Sequence, residues 1–214
     1  MKREPRDTSA MEQRILETAD RLFYGQGIRA IGVDTVAAEA GISKRTLYNH
    51  FPSKDALIVA YLSRRLTPIE SSDASPEAQL FGVFERLERS FVSDNFRGCP
   101  FVNAVAELGE PSHPANKIAL AFKEQRRVWF RALLGRLGVT DADRLATQLM
   151  LLVDGAIAAA LVRGDPKMAS AAKQAAAVLL SSAGARLVRG AGTPAPRRST
   201  EAGKKLERLR RGPR

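Results

Sequence analysis

The residues whose types and spacing could do chemistry lie at positions 44–50, KRTLYNH. In a helix, Leu47 and Phe51, one turn later, share one side, which predicts that they anchor the segment to a core. The other side carries hydrogen-bonding and cationic side chains, namely Lys44, Arg45, Thr46, Tyr48, Asn49 and His50. Such a helix can enter the major groove of duplex DNA, about 12 Å wide, and reach base edges and phosphates.

The residues before this segment could position it. A short helix is predicted at 33–40, with the small side chain of Ala37 where two helices would cross closely. Gly41 can adopt the positive φ that a tight turn needs, and Ile42 can fill the core just after that turn. Ser43 can cap the second helix. Together these features predict a helix-turn-helix.

The same window resembles the DNA-binding segment of the TetR family of bacterial transcriptional regulators, which has the form A-G-[IV]-S-x-x-T-[LF]-Y-x-[HY]-F-x-[SN]-K-x-x-L. The matching residues are Ala40, Gly41, Ile42, Ser43, Thr46, Leu47, Tyr48, His50, Phe51, Ser53, Lys54 and Leu57. The resemblance covers residues 14–62 and implies a homodimeric regulator, not an enzyme. It also implies a repressor that a small-molecule effector releases from a pseudo-palindromic double-stranded operator.

Residue roles follow from the resemblance position by position. The expected base contacts are Arg45, Thr46 and Asn49, and the expected phosphate contacts are Lys44, Tyr48, His50 and Lys54. An arginine can bind guanine O6 and N7, and an asparagine can bind adenine N6 and N7. Many relatives have glycine in place of Arg45, so this residue is the candidate for the protein's own specificity.

Some of these positions have other interpretations. Tyr48 could pack against its neighbours, and His50 could be a structural hydrogen-bonding residue. Arg45 and Asn49 could simply be solvated. Gly32 stands where the family often has a threonine or serine that caps the first helix of the motif, so we expect that cap to be missing.

Proline and glycine divide the rest of the chain into helical segments, without sustained strand-type alternation. Helices are predicted at residues 9–24, 33–40, 44–51, 53–66, 76–92, 100–109, 114–137, 141–163 and 166–188. The expected fold is all-α, with an N-terminal three-helix helix-turn-helix domain joined to a larger C-terminal helical domain for ligand binding and dimerisation. The expected boundaries are a disordered 1–8, domains at 9–66 and 67–189, and a basic disordered tail at 190–214.

Composition excludes several classes of protein. The formal net charge is +11, of which residues 191–214 contribute 8 Lys and Arg against 2 Asp and Glu. One cysteine and two histidines are too few for the usual cysteine- and histidine-based metal sites, and we expect neither metal nor cofactor. The apolar run 149–162 is short and contains Asp154, so we expect no membrane association and a cytoplasmic protein.

The C-terminal half contains the candidate effector site and dimer seam. Helices 141–163 and 166–188 are apolar or alanine-rich, which suits a four-helix dimer interface or an intramolecular bundle. Each candidate wall residue of an effector pocket could equally be core, and Asp154 could instead pair within the fold. These candidates are Phe84, Phe101, Phe122, Trp129, Phe130, Leu151 and Asp154. Cys99 is a candidate redox sensor or a buried small hydrophobe.

The sequence is also compatible with two rival functions. A non-specific basic DNA-binding or membrane-surface protein would act through the tail and ignore DNA sequence. A helical enzyme would use Asp154, His113 and Cys99, but these residues show no spacing that builds a catalytic site. Neither rival explains the helix-turn-helix window.

Overall fold

The computed structural model describes residues 5–70 and 72–186, and this part of the chain contains helices but no strands. The helices are α1 (Pro5–Gln26), α2 (Val33–Glu39), α3 (Lys44–His50), α4 (Lys54–Arg65), α5 (Pro76–Phe91), α6 (Pro100–Leu108), α7 (Pro114–Arg136), α8 (Ala142–Arg163) and α9 (Lys167–Ser182). The all-α prediction is confirmed. The predicted basic tail lies outside the described residues.

Helix ends follow local chemistry, with two boundaries that differ from the predictions. α1 begins at Pro5, four residues earlier than expected. α9 ends at Ser182 rather than near residue 188, because Gly184 adopts a φ of +70° and the Arg186 N–H donates to the Leu137 carbonyl. Proline occupies the first turns of α5, α6 and α7, where its missing N–H costs nothing.

The first core lies beneath α1, α2, α3 and α4. One face of α1 is buried in it, with Ile15, Leu22 and Phe23 packed against the neighbouring helices. The Phe23 and Tyr61 rings meet edge to face, with centroids 5.7 Å apart. The same core continues under α6 and the start of α7, so the helix-turn-helix segment and the rest of the molecule share buried surface.

The second core is formed by α5, α7, α8 and α9. Its largest side chains include Phe84, Phe130 and Leu149, and alanines of α9 allow that helix to approach α8 closely. The apolar residues of α8 are not all buried in the single chain. Leu151 is 67% exposed and Val162 is 86% exposed, since they face away from α7 and α9.

α8 is longer than its apolar run suggested. Among the described residues it is the one helix with the length and composition to cross a membrane. Its contacts with α7 on one side and α9 on the other give a simpler account of that composition, because a core helix between two neighbours needs the same apolar residues.

Leu47 is fully buried beneath α3, so its truncation should destabilise the protein. We expect Leu47→Ala to lower the free energy of unfolding by about 2–5 kcal/mol, through lost burial and the cavity left behind. Leu120→Ala is the matched control, because Leu120 is largely exposed and its loss should cost less than about 0.5 kcal/mol. Urea unfolding followed by circular dichroism measures both, and equal midpoints for the two variants would contradict the packing.

Candidate DNA-binding surface and effector cavity

The turn between α2 and α3 has the geometry that the sequence predicts. Gly41 has a φ of +65°, and the Ile42 N–H donates to the Ala37 carbonyl at 2.9 Å. The Ser43 hydroxyl accepts from the Thr46 N–H at 3.1 Å and caps α3. At the start of α2, Gly32 provides no side-chain cap, as expected. The turn therefore holds α3 against α2 through backbone bonds.

The outer face of α3 carries accessible polar groups. Arg45, Tyr48 and Asn49 are exposed, and within the described residues none of their side chains forms a hydrogen bond or ion pair. Leu47 and Phe51 are buried on the opposite side, as predicted. This face is therefore free to form hydrogen bonds with another molecule. Its DNA contacts stay a prediction.

Thr46 is less available than these three residues. It is half-buried, and its hydroxyl lies 2.9 Å from that of Ser43. Its methyl group, rather than its hydroxyl, is therefore the part suited to meet a base. A methyl group can make an apolar contact with thymine.

The expected phosphate contacts differ in accessibility. Lys44 is half exposed and pairs with Asp34 of α2, Nζ to Oδ1 2.9 Å, and this hydrogen bond raises the pKa of Lys44. Lys54 is half-buried at the start of α4. The placement of His50 on the outward face is wrong. Its side chain is 5% exposed, because it is directed toward α1, where its Nδ1 lies 3.5 Å from Glu12 Oε1.

A cavity of about 350 Å³ opens among α5, α7, α8 and the loop before α6. Of the predicted wall residues, the structure brings together Phe122, Trp129, Phe130 and Asp154. The full lining is Tyr24, Arg65, Val83, Arg86, Leu87, Ser90, Phe96, Gly98, Cys99, Pro100, Phe122, Lys123, Arg126, Trp129, Phe130, Met150, Val153, Asp154 and Ile157. The cavity is therefore apolar over most of its wall, with several charged groups.

Three predicted wall residues lie elsewhere. Phe84 is buried in the second core, and Leu151 points to the surface. Phe101 stacks on Phe122 with centroids 4.0 Å apart and faces a separate shallow groove beside α6. Aromatic character alone did not separate core from cavity, because both places exclude water and select the same side chains.

Asp154 is paired inside the fold. Its carboxylate accepts a hydrogen bond from the Lys123 ammonium group, and both residues line the cavity. The alternative that Asp154 pairs within the fold is therefore correct, and its partner is a lysine. A paired carboxylate is a poor ligand for a cation, since its charge is already offset.

Several cavity residues were missed at the sequence level. Tyr24 and Arg65 come from α1 and α4, and Arg86 and Arg126 come from α5 and α7. One signal was available for Arg126, which lies four residues from both Phe122 and Phe130 and so shares their helix face. Tyr24, Arg65 and Arg86 had no such signal.

Arg126 has an unusual environment. Its Nε is buried without a hydrogen-bond partner among the described residues, and its guanidinium lies 5.1 Å from the centre of the Phe122 ring. Burial, and secondarily the nearby Arg86 cation, lower the pKa of the Arg126 guanidinium. Arginine nevertheless stays protonated at neutral pH, so the cavity contains a poorly compensated positive charge.

Cys99, which forms no disulfide, lines the same cavity. It is 8% exposed and occupies the N-cap of α6 without a side-chain capping bond. This burial suits the interpretation as a small hydrophobe, and the redox role stays a prediction.

Contacts from α1 and α4 connect the cavity to the helix-turn-helix. The Tyr24 hydroxyl donates to the Gly98 carbonyl and accepts from the Arg97 N–H, both at 3.0 Å. The guanidinium carbon of Arg65 lies 4.6 Å from the centre of the Tyr24 ring. The Nε and Nη2 groups of Arg65 also donate to the two carboxylate oxygens of Asp20, at 2.5 and 2.8 Å. A displacement of the cavity wall at residues 97–98 would therefore act directly on α1 and α4.

A second set of contacts lies beside the α1–α2 loop. The Arg29 N–H donates to Glu107 Oε2 at 3.0 Å, and the Arg29 guanidinium donates to the Leu108 carbonyl at 3.2 Å. These bonds attach the end of α6 to the segment that leads into α2. The helix-turn-helix is thus held at two separate places.

The fold and the exposed α3 face define a helix-turn-helix DNA-binding protein. Residues 15–61 match the family model of bacterial regulatory proteins of the tetR family. A TetR-type regulator from Streptomyces avermitilis is 34% identical, with a TM-score of 0.74 over 82% of this chain and 98% of that one. A TetR-family transcriptional regulator from Streptomyces coelicolor is 33% identical, with a TM-score of 0.75 over 82% and 97%.

A curated relative agrees with these structures. The HTH-type transcriptional regulator YxaF of Bacillus subtilis is 28% identical over 165 residues, which are 72% of this chain and 86% of that protein. The chain belongs to the TetR family of transcriptional regulators. Regulators of this family bind DNA operators and act as dimers.

Tyr24→Phe should test the contact between α1 and the cavity loop. Losing the hydroxyl leaves the Gly98 carbonyl and the Arg97 N–H without that partner, so we expect a loss of about 0.5–2 kcal/mol in the free energy of unfolding. Tyr48→Phe is the matched control, because its exposed hydroxyl has no hydrogen bond within the described part of the chain. Thermal unfolding measures both, and an unchanged midpoint for Tyr24→Phe would refute this contact.

Proposed function

We propose that this protein is a cytoplasmic repressor that binds a pseudo-palindromic operator as a homodimer and leaves it when a small molecule fills the cavity. The observation that carries the proposal is the composition of the cavity wall. Tyr24 and Arg65 belong to the helices that hold the helix-turn-helix, and they share the wall with residues of α5, α7 and α8. A ligand there would contact both parts of the molecule at once.

In this proposal α3 reads the operator in the major groove. Arg45 and Asn49 contact bases, and the Thr46 methyl group contacts thymine. Tyr48 and Lys54 bind phosphates, and Lys44 does so while keeping its ion pair with Asp34. These phosphate contacts fix the register of the protein on the duplex without reading its sequence. His50 has no contact with DNA in this scheme, because its side chain packs toward Glu12.

The homodimer forms through α8 and α9. The apolar side chains that these helices leave exposed in the single chain support this arrangement, and they are Leu151, Leu161, Val162 and Val178. A two-fold interface of this kind presents two α3 helices to successive major grooves, about 34–36 Å apart. Helices α1–α4 then form the DNA-binding domain, and α5–α9 form the effector-binding and dimerisation domain.

Release follows from a shift between two populations. A ligand that binds more tightly when the cavity is expanded favours that state in proportion to its differential affinity. Expansion moves residues 97–98, and the bonds to Tyr24 transmit the movement to α1. The separation of the two α3 helices in the dimer then changes, and the operator is lost.

Arg45→Ala should reduce specific DNA binding. An operator selected from a random duplex pool is bound to the purified protein, and affinity is measured by fluorescence anisotropy at fixed salt. Loss of a bidentate base contact should cost about 1–3 kcal/mol. This corresponds to roughly a 5-fold to 150-fold rise in Kd.

Arg144→Ala is the control, since it removes the same charge from an exposed arginine at the start of α8. Its operator affinity should stay within twofold of the parent protein. If both variants bind equally well, Arg45 does not read bases. If neither protein prefers the selected operator over random duplex, the non-specific alternative is correct.

A side chain that fills the cavity should mimic the effector. Val83→Trp projects a large ring into the cavity from α5, and we expect weaker operator binding. Glu88→Trp is the control, because Glu88 lies on the exposed side of α5 and does not line the cavity. Overpacking costs about 1–3 kcal/mol, so circular dichroism must first show that both variants are folded. Unchanged operator affinity in a folded Val83→Trp protein would disprove coupling between cavity and DNA.

A further inference from the structure

We propose that the effector is a small organic anion, a carboxylate joined to an apolar body, whose carboxylate binds Arg126 at the cavity wall and Arg86 at its rim. This inference rests on the effector role proposed above for the cavity. It adds the chemical class of the ligand, argued from the charges, burial and size of the cavity.

The charges of the cavity wall do not balance. Four cations line it, and they are Arg65, Arg86, Lys123 and Arg126. Asp20 pairs with Arg65, and Asp154 pairs with Lys123. Neither Arg86 nor Arg126 forms an ion pair with a carboxylate among the described residues, and Glu85, whose charge Arg86 senses, already pairs with Lys173. The wall therefore has two cations without a paired anion. An anionic ligand would reduce this excess, and a cationic ligand would increase it.

Arg126 is the group that most needs a partner. A buried charged donor without a hydrogen bond is costly, because it has lost water without gaining a replacement. The Phe122 ring stabilises the guanidinium face but cannot accept the in-plane N–H of Nε. The side chain as a whole is half-buried, so a carboxylate in the guanidinium plane could accept two parallel N–H bonds from its terminal nitrogens, a geometry that arginine and carboxylate share.

The second arginine supports the same chemistry. Arg86 lies close enough to disfavour the charge on Arg126, and it is exposed on α5 at the cavity rim. A single anion bound near both guanidinium groups would convert their repulsion into attraction toward a shared centre. Arg86 is thus suited to attract the anion, and Arg126 to hold it.

The remaining wall defines the apolar body of the ligand. It is provided largely by Phe122, Trp129, Phe130, Met150 and Ile157. The cavity of about 350 Å³ lies at the small end of ligand sites, which span roughly 300–1,000 Å³. One ring with a short chain fits this volume. The body would lie along the α7 face on which Arg126 is flanked by aromatic residues.

The chain's one tryptophan, Trp129, lines the cavity and reports its occupancy by fluorescence. Phenylbutyrate, phenylbutanol and phenylbutylamine share a ring and chain but differ in charge. We expect saturable quenching by phenylbutyrate, with a Kd at least about tenfold lower than for the alcohol or the amine, because a charge-assisted hydrogen bond contributes that much. Equal or tighter binding of the alcohol or amine would overturn the proposal. So would the absence of saturable binding for both phenylbutyrate and naphthoate at millimolar concentration.

Substitutions of single arginines test which residue binds the carboxylate. Arg126→Gln should weaken phenylbutyrate binding about tenfold while leaving phenylbutanol binding unchanged, and Arg126→Lys should retain part of the preference. Arg86→Gln should cause a smaller loss. The control is Arg136→Gln, which removes an exposed arginine of α7 outside the cavity and should change neither Kd. If Arg126→Gln binds phenylbutyrate as well as Arg136→Gln does, the assignment is wrong.

A parallel assay of operator release separates this inference from the proposed function. Selective carboxylate binding that leaves the operator complex intact would refute effector release but keep the anion site. Release by phenylbutanol at the same occupancy as by phenylbutyrate, with equal Kd values, would keep effector release and refute the anion site. Selective release by phenylbutyrate, lost in Arg126→Gln, supports both.

Discussion

Burial of one face of α1 is the constraint on which the rest of the molecule depends. Ile15, Leu22 and Phe23 are almost completely inaccessible in the first core, so α1 cannot rotate without exposing them. That fixed orientation directs Asp20 toward Arg65 and Tyr24 toward the loop before α6. The helix that stabilises the DNA-binding unit therefore also forms part of the cavity wall. A regulator needs such an element, because two sites can influence each other only through structure that both contact.

The α3 face and the cavity wall differ in how their charged groups are compensated. On α3, Arg45 and Asn49 remain solvated and unpaired within the described residues, which suits a partner that brings its own acceptors. In the cavity, Arg65 and Lys123 are neutralised by Asp20 and Asp154, while the half-buried Arg126 has no carboxylate partner within the described residues. An unpaired charge is inexpensive in water and costly in a cavity. An unpaired arginine is therefore tolerated on the surface of α3, whereas in the cavity it favours binding of an anion.

Much of the fold and of the α3 surface was predictable because their causes are local. Gly41 with its positive φ, the Ser43 cap and the buried Leu47 each depend on residues within one or two turns. His50 was misplaced because its environment depends on Glu12, 38 residues earlier in the chain. The end of α9 was misplaced for a similar reason, since Arg186 bonds to Leu137. Periodicity contains no information about such distant partners.

The sequence by itself determined the all-helical class, the helix-turn-helix and its family, since these follow from short-range spacing, turn residues and caps. Only the tertiary structure decided which aromatic residues face open space, as the different positions of Phe84 and Phe122 show. It also decided that Asp154 is neutralised by Lys123 and that Tyr24 reaches the cavity. The physical reason is that a cavity is the space left when several helices pack together, so its lining depends on their relative positions and not on any one segment.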